Sequence, residues 1–371
     1  MTTRVYLDHN AGAPLAPAAL AVLDELRALH GNPSSAHLEG RRARALLEDA
    51  REQIAACLGV ARDSVLFTSG GTESNALALR SAPHDKPLAV GATEHPSVLA
   101  SAAAHPAGCV TLPVGRDGRT RPEDIATDVG FVSVSTANHE TGHLQDVESL
   151  ARRAHDIGVR FHTDASQAVG RTHVDAARWG VDFMTVTSHK LGGPVGVGAL
   201  FASDAATLVP LLHGGAQEGG ARAGTESARL AAAFAAAVQD ATDHVRARAD
   251  AWSLWNEELR SDIARLDPTV VFHSPAIDGL SNTLCVSFPG RRGASLVHRL
   301  DIEGVAVSHG SACSTGSLLP SPVLLAMGYG EDEATSALRI SWGHDTPREH
   351  LHAFVRALRV TLNAVSARDT R

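Results

Sequence analysis

The sequence predicts an α/β protein with a large domain built on a mostly parallel sheet, followed by a smaller α+β domain. Two observations favour this fold. Short apolar runs alternate with helical patterns through the first two thirds of the 371 residues, and that alternation stops near residue 250. Alternating strands and helices are typical of a parallel sheet covered by helices on both faces. We expect the large domain at residues 13–250 and the small domain at residues 1–12 and 251–371.

The predicted elements follow from local patterns. Strands of the large domain are expected at residues 65–68, 131–134, 159–162 and 183–186, where apolar runs are short. Apolar residues recur on one helical face over residues 45–58, and the alanine-rich stretch 231–237 also favours a helix. In the small domain we expect strands at 270–272 and 284–288, and helices at 252–266 and 347–362.

Composition narrows the possible functions. A formal charge of −8 and a pI near 6.2 argue against a protein that binds nucleic acid or an anionic membrane. No apolar run is long enough to span a bilayer, and the N-terminus lacks a signal-peptide core, so we expect a cytoplasmic protein. The four cysteines lie far apart and predict neither a metal site nor a disulfide framework.

Ligands of an open α/β sheet bind beyond the carboxyl ends of its strands, and the first such end holds a glycine-rich segment. Gly70 and Gly71 follow the predicted strand at 65–68 and precede Thr72 at the start of a helix. Glycines permit close approach of an anion, while the N–H groups of the helix and the Thr72 hydroxyl can donate to it. The segment fits a phosphate cup; the alternative is a glycine turn before an ordinary helix cap.

Two further strand ends carry an aspartate and a lysine. Asp164 can pair with the protonated nitrogen of a pyridine ring, or can simply cap a helix. Lys190 follows the strand at 183–186 and precedes two glycines. Partial desolvation there lowers a lysine pKa and suits Schiff-base formation, although most lysines are solvated surface charges. Phosphate cup, aspartate and lysine occur in the order that a pyridoxal-phosphate (PLP) fold requires.

Cys313 lies among small polar residues in segment 308–317, which is typical of an exposed loop. That setting favours a reactive thiol, whereas a buried packing cysteine is the alternative. Cys57, Cys109 and Cys285 occur in apolar runs, and we expect them to be packing residues.

Nine short segments occur in the order of a known family: 6–11, 31–35, 71–75, 93–95, 138–142, 163–167, 188–190, 222–225 and 310–313. Through them the chain resembles the cysteine desulfurases of the class V aminotransferase family, in the nitrogen-fixation and iron–sulfur-assembly group. The resemblance implies a fold-type I PLP-dependent transferase with a mostly parallel seven-stranded sheet.

The resemblance also implies roles for individual residues. Lys190 would hold PLP and move protons, His95 would stack on the pyridine ring and take part in proton transfer, and Asp164 would pair with the ring N–H. The other expected cofactor contacts are Gln167 at the phenolic oxygen, Gly71, Thr72, Thr187 and His189 at the phosphate, Asn138, and Thr225 from the partner subunit of a homodimer. Asn138 and Arg339 would bind the substrate carboxylate, which suits the two parallel donors of an arginine.

The implied reaction converts L-cysteine to L-alanine and leaves a persulfide on Cys313, which a sulfur-acceptor protein then receives. The long segment from Cys313 to Pro322 resembles that of desulfurases that deliver sulfur without a dedicated activator. The chain departs from the family pattern at Gly12 and Ala13, where threonines are usual, at Gly219, where an arginine is usual, and at His309, where a serine is common.

Three alternatives remain at this stage. One is a lyase acting on selenocysteine or a cysteine derivative, against which the thiol of Cys313 argues. Another is a PLP aminotransferase or epimerase in which Cys313 is incidental. The third is a sulfur-carrier scaffold without turnover, which is disfavoured by the intact set of Lys190, Asp164 and His95.

Overall fold

The computed structural model describes residues 4–310 and 319–366. Its helices are α1 (Pro17–Glu25), α2 (Leu38–Leu58), α3 (Gly71–Arg80), α4 (Pro96–Ala103), α5 (Val147–Asp156), α6 (Ala176–Trp179), α7 (Ala228–Asp243), α8 (Val245–Leu266), α9 (Gly293–Ile302), α10 (Pro322–Ala326), α11 (Glu331–Thr335) and α12 (Arg348–Ser366). Its strands are β1 (Val5–Tyr6), β2 (Val65–Thr68), β3 (Leu88–Gly91), β4 (Cys109–Leu112), β5 (Phe131–Ser133), β6 (Arg160–Asp164), β7 (Phe183–Thr187), β8 (Gly198–Ala202), β9 (Val271–Phe272), β10 (Thr283–Ser287), β11 (Val305–Ala306) and β12 (Ala337–Ser341).

Seven of these strands form one sheet in the order β2-β8-β7-β6-β5-β3-β4. Strands β4, β3, β5, β6 and β7 are parallel, and β8 runs antiparallel to both of its neighbours. The fold-class prediction, a mostly parallel sheet of seven strands, is therefore confirmed.

Apolar side chains cover both faces of this sheet. In β7, Phe183 packs into the core on one face, while Met184 and Val186 pack into the core on the other. Helices α2 and α7 bury their alanine- and leucine-rich faces on the second side. Burial on both faces explains why the strands are continuous apolar runs rather than alternating patterns.

A second group of elements follows the large sheet. Strands β9, β10 and β12 form an antiparallel sheet, and β1 pairs in parallel with β11. Val5 and Leu7 pack with β10, β12 and the closing helix α12 in a separate apolar core. The first residues of the chain thus pack with its C-terminal part, and the predicted domains at residues 13–250 and at 1–12 with 251–371 stay a prediction.

The predicted strands agree with the structure to within two residues at each end, whereas helices α2, α7 and α8 extend beyond the predicted segments by six or seven residues. One packing prediction was wrong: Cys109 is exposed, because β4 is the edge strand of the large sheet and begins at its surface. Cys285 is buried and Cys57 is half-buried, as the apolar runs around them indicate. In the described ranges, every helix is too short or too polar to cross a membrane.

Candidate active site

The candidate site is a cavity of about 390 Å³ at the carboxyl ends of the parallel strands. That position follows from the topology, since loops leaving neighbouring parallel strands meet at one edge of the sheet. Nine residues predicted from the sequence line it together: Gly71, Thr72, His95, Asp164, Gln167, Thr187, His189, Lys190 and Arg339.

At one end of the cavity, Gly71 has no side chain and leaves an open space beside Ser166 and Thr187, which we call the cradle. Gly70 has a φ of 150°, which lets the chain turn from β2 into α3 and leaves the N-terminus of α3 facing the cavity. A Cβ placed on Gly71 would lie 3.3 Å from Ser166 Oγ and 3.5 Å from Thr187 Cβ, so a larger residue would fill the cradle.

Polar atoms of the cradle are available to an anion. Within the described ranges, the buried Ser166 Oγ has no hydrogen-bond partner. Thr187 Oγ1 lies 3.1 Å from His189 Nδ1 beside it. Helix N–H groups and hydroxyls are the donors that a phosphate monoester requires, so this end of the cavity fits the phosphate of PLP.

Asp164 lines the same cavity at the end of a strand of the large sheet. It is the last residue of β6, and it accepts hydrogen bonds from Asn75 Nδ2 at 2.8 Å and from the Ser166 amide at 2.9 Å. Burial by itself raises the pKa of this carboxyl. The charge of Lys190 and the hydrogen bonds outweigh burial, so the Asp164 pKa lies below its ordinary value. An ionised carboxylate suits the protonated nitrogen of a pyridine ring.

Lys190 ends a single 3-10 turn that follows β7 directly. The turn directs Lys190 and His189 into the same cavity. Burial lowers the pKa of His189 to about 4, and the charges of Lys190 and Arg171 add to this effect. His189 is therefore neutral at neutral pH and can contact an anion only as a hydrogen-bond donor.

His95 precedes α4 and caps it. Its Nδ1 accepts a hydrogen bond from the Ser97 amide at 3.1 Å, so the neutral ring carries its proton on Nε2. Burial, followed by the charge of Lys190, lowers the pKa of His95. The ring lies edge-on to His139, with the ring centroids 5.6 Å apart.

Arg339 lies in β12, on the side of the cavity away from the large sheet. Its Nη2 pairs with Asp8 Oδ1 at 2.6 Å, and its Nη1 donates to the His139 carbonyl at 3.1 Å. Its Nε has no hydrogen-bond partner in the described part of the chain, although the side chain is almost completely buried. A buried guanidinium with an unused donor fits a ligand carboxylate.

Three predicted site residues lie elsewhere. The amide of Asn138 bonds the Thr93 carbonyl and the backbone of the turn at 140–141, so it holds this turn. Thr225 lines a separate cavity of about 110 Å³. Cys313 lies outside the described residues. The roles assigned to these three residues stay predictions.

Sequence reasoning assigned no role to Arg171, which contacts Gln167, or to five polar residues that line the cavity: Asn10, Asn75, Ser97, His139 and Ser166. Asn75 and Ser166 stand within recognised motifs, and their places beside Gly71 and Asp164 were the available signal. Asn10 and His139 also stand within recognised motifs, whereas Arg171 gave no such signal, since its contact with Asn10 joins residues 161 positions apart.

Comparison with known proteins agrees with this geometry. Residues 5–354 match the family described as aminotransferase class-V. The chain is 36% identical over 95% of its length to the "IscS-like cysteine desulfurase" of Mycobacterium tuberculosis, also covering 95% of that protein. It is 35% identical over 95% of its length to "Cysteine desulfurase NifS" of Azotobacter vinelandii, of which it covers 91%.

A solved structure has the same fold. The NifS-like protein from Rickettsia africae superposes with a TM-score of 0.90 at 31% identity, over 97% of this chain and 99% of that one. The similarity thus extends through all three sheets rather than through the large sheet alone. The chain belongs to the aminotransferase class-V family and, within it, to the group of the cysteine desulfurases.

Proposed function

We propose that this protein is a PLP-dependent cysteine desulfurase, which converts L-cysteine to L-alanine and takes up the sulfur as a persulfide on Cys313. The observation that carries the proposal is the meeting of Lys190, Asp164 and His95 in one cavity. This cavity belongs to a chain whose relatives over nearly its whole length are named cysteine desulfurases.

The residues present fit PLP. Lys190 would hold it covalently, Asp164 would face the ring nitrogen, and Gln167 would face the phenolic oxygen. The cradle of Gly71 and the hydroxyls of Thr72 and Thr187 would hold its phosphate together with His189, while His95 would cover the ring. PLP supplies an electron sink for bonds broken at the substrate Cα.

The protein's own groups would divide the remaining tasks. Arg339 would bind the carboxylate of L-cysteine, and the Lys190 amine would take a proton from Cα and return it. His95 would hold a proton at Nε2 on the other side of the ring. The Cys313 thiolate would attack the substrate sulfur, so that an S–S bond forms while the C–S bond breaks. The electron pair left on the substrate carbon then takes up a proton to give L-alanine.

The proposal includes a homodimer in a reducing cytoplasm, in which Thr225 of each subunit reaches the phosphate site of the other. Its support is the position of Thr225, which borders Ser69 and Arg222 near the start of α3 but outside its own subunit's cavity. The persulfide would pass to an acceptor protein.

The test compares the wild-type protein with Cys313→Ala and Lys190→Ala, each loaded with PLP and supplied with L-cysteine and a reductant. Wild type should release alanine and sulfide in equal amounts. Cys313→Ala should keep the PLP absorbance but lose at least about 10³-fold in turnover, the scale seen when a nucleophile is removed. Lys190→Ala should lose both the covalent PLP absorbance and turnover.

Cys109→Ala is the matched control, because Cys109 is an exposed thiol outside the cavity and its removal should leave activity unchanged. Mass spectrometry of the protein after one turnover should locate the extra sulfur on Cys313. Full activity of Cys313→Ala would show the persulfide mechanism to be wrong and would favour a lyase on the same PLP scaffold.

A further inference from the structure

Arg171 is a buried cation beneath the cavity that the proposed chemistry does not use. It lies in the turn that follows β6, and only 6% of it is exposed. Its guanidinium donates to oxygens on three separate segments of the chain. The acceptors are Asn10 Oδ1 at 2.8 Å, Gln167 Oε1, the His9 carbonyl at 3.0 Å and the Lys190 carbonyl at 2.9 Å.

Among the residues that the structure describes, no carboxylate pairs with this arginine. Of the arginines buried in the described chain, Arg51 pairs with Glu218 and Arg339 pairs with Asp8, whereas Arg171 meets only carbonyl and amide oxygens. Burial, with the charge of Arg339 adding to it, lowers the pKa of Arg171 to about 9. Arg171 is therefore still cationic at neutral pH, and it places a positive charge beneath the cavity.

Arg171 also decides which way the Gln167 amide points. A guanidinium only donates hydrogen bonds, so the atom of Gln167 that it contacts must be the oxygen. The Gln167 Nε2 then faces the other way and gives one hydrogen to the Asn10 carbonyl at 3.0 Å. Its second hydrogen is left for the cavity that Gln167 lines, so this side chain can offer a ligand only a donor.

We propose that Arg171 is a positioning residue that holds Gln167 as a hydrogen-bond donor to the phenolic oxygen of PLP and stabilises the anionic form of that oxygen. The inference rests on the proposed PLP site. Arg171 itself would act on the cofactor through the Gln167 side chain and through its charge, without touching the cofactor.

The consequence is a lower proton affinity at the Lys190 nitrogen once it is joined to PLP, because a nearby cation and a donor to the phenolate both disfavour the protonated linkage. The other charged or titratable side chains that face this nitrogen are Asp164, His95, His139, His189 and Arg339. Burial lowers the pKa of each of these histidines, and the Asp164 pKa is low as well, so their charges are constant around neutral pH.

The experiment is an absorbance titration of the PLP chromophore in wild type, Arg171→Met and Arg171→Lys. In Arg171→Met the apparent pKa should rise by about one unit, the lower end of the shift expected from one nearby charge. Arg171→Lys keeps the charge but cannot hold both Gln167 and Asn10, so we expect a smaller rise. In the double variant Arg171→Met/Gln167→Ala, the rise in the chromophore pKa should be smaller than the sum of the rises in the two single variants, because Arg171 acts partly through Gln167.

Arg260→Met is the matched control. Arg260 is also largely buried and donates to backbone carbonyls, those of Ser274 and Pro275, but it lies outside the cavity. Its loss should lower the unfolding temperature of the apoprotein, as the loss of Arg171 should, without moving the chromophore pKa.

An Arg171→Met chromophore that titrates like wild type overturns the inference and leaves the desulfurase proposal intact. Where Arg171→Met does not fold, an unshifted Arg171→Lys overturns it equally. A wild-type protein that binds no PLP contradicts the proposed function itself, so the two failures are distinguishable.

Discussion

The two faces of the cavity treat their ionisable groups differently. On the face made by the large sheet, Asp164 accepts two hydrogen bonds, and His95 and His189 each contact a hydroxyl. On the face made by β12 and the turn at 138–140, Arg339 Nε and His139 Nε2 have no hydrogen-bond partner within the described residues.

Glu140, just behind the second face, continues this contrast. It is completely buried, and its Oε2 accepts a hydrogen bond from Ser321 at 2.5 Å. Its Oε1 has no hydrogen-bond partner in the described chain and lies 3.7 Å from His139 Nε2. Preorganised groups suit a cofactor that stays bound, whereas unused donors suit a substrate that enters and leaves. The contrast concerns the ionisable groups, because Ser166 Oγ on the sheet face also has no hydrogen-bond partner within the described residues. It supports the proposed placement of PLP at the sheet face and of L-cysteine at the opposite face.

Asp164→Asn should give the largest effect of the substitutions that test this assignment. The variant keeps the shape and the hydrogen bond from the Ser166 amide but removes the charge beside the ring nitrogen. We expect kcat to fall roughly 10²–10³-fold, as when one preorganised electrostatic contact is lost, with little change in KM. Steady-state kinetics of the PLP-loaded variant measure both constants.

Asp182→Asn is the control for this change. Asp182 also accepts a backbone hydrogen bond, from Phe161 at 2.8 Å, but it lies outside the cavity, so kcat should be unaffected. A kcat of Asp164→Asn equal to that of wild type would show that the charge of Asp164 does not contribute to the reaction.

Arg339→Lys should affect binding instead. Lysine keeps a charge opposite Asp8 but lacks the planar fork that binds a carboxylate through two parallel hydrogen bonds. KM for L-cysteine should rise roughly 10- to 100-fold, which corresponds to ~1.5–3 kcal/mol for a hydrogen bond to a charged group. The PLP absorbance should stay unchanged, since the sheet face is intact.

Arg260→Lys provides the comparison, because Arg260 is a partly buried arginine whose hydrogen bonds go to protein carbonyls and to the Asn256 side chain. Its KM should equal that of wild type. An Arg339→Lys variant that loses PLP but keeps its KM would reverse the assignment of the two faces.

The sheet face was predictable from the sequence and the opposite face only in part. Asp164 ends one strand, Lys190 lies one turn after the next, and neighbouring parallel strands bring such ends together. Arg339 was predicted from the family resemblance alone, because it lies inside a buried strand of the other sheet. Arg171 meets Asn10 across 161 positions of sequence, and no local pattern indicates such a contact.

Cys109 shows a related limit. Its apolar run predicted a packing residue, but an apolar run does not reveal which strand will form the edge of the sheet. Strand order depends on how the crossover helices pack. The exposure of a side chain therefore follows from the whole topology rather than from its neighbours in sequence.

The smallest predicted effect concerns stability rather than turnover. Burial raises the pKa of Glu140 above its ordinary value of 4.5, although the Ser321 hydrogen bond and the charge of Arg339 act in the opposite direction. The folded protein therefore holds this proton more tightly than the unfolded chain does, and the contribution of Glu140 to stability declines as pH rises from about 4.5 through the raised pKa. Urea unfolding of apo Glu140→Gln and wild type at pH 5 and pH 8 measures this dependence.

Glu140→Gln has no titratable group at this position. The difference in free energy of unfolding between the variant and wild type should therefore shift in favour of the variant as pH rises, by roughly 1–3 kcal/mol for one unsatisfied buried group. Glu73→Gln is the control of opposite sign. Hydrogen bonds from Arg222 and Ser69 lower the pKa of Glu73 despite burial, so Glu73 stabilises the fold above its ordinary pKa and loses that effect as pH falls. Equal pH slopes for wild type and Glu140→Gln would mean that Glu140 has a partner in solution, and Glu140 would then no longer support the contrast between the two faces.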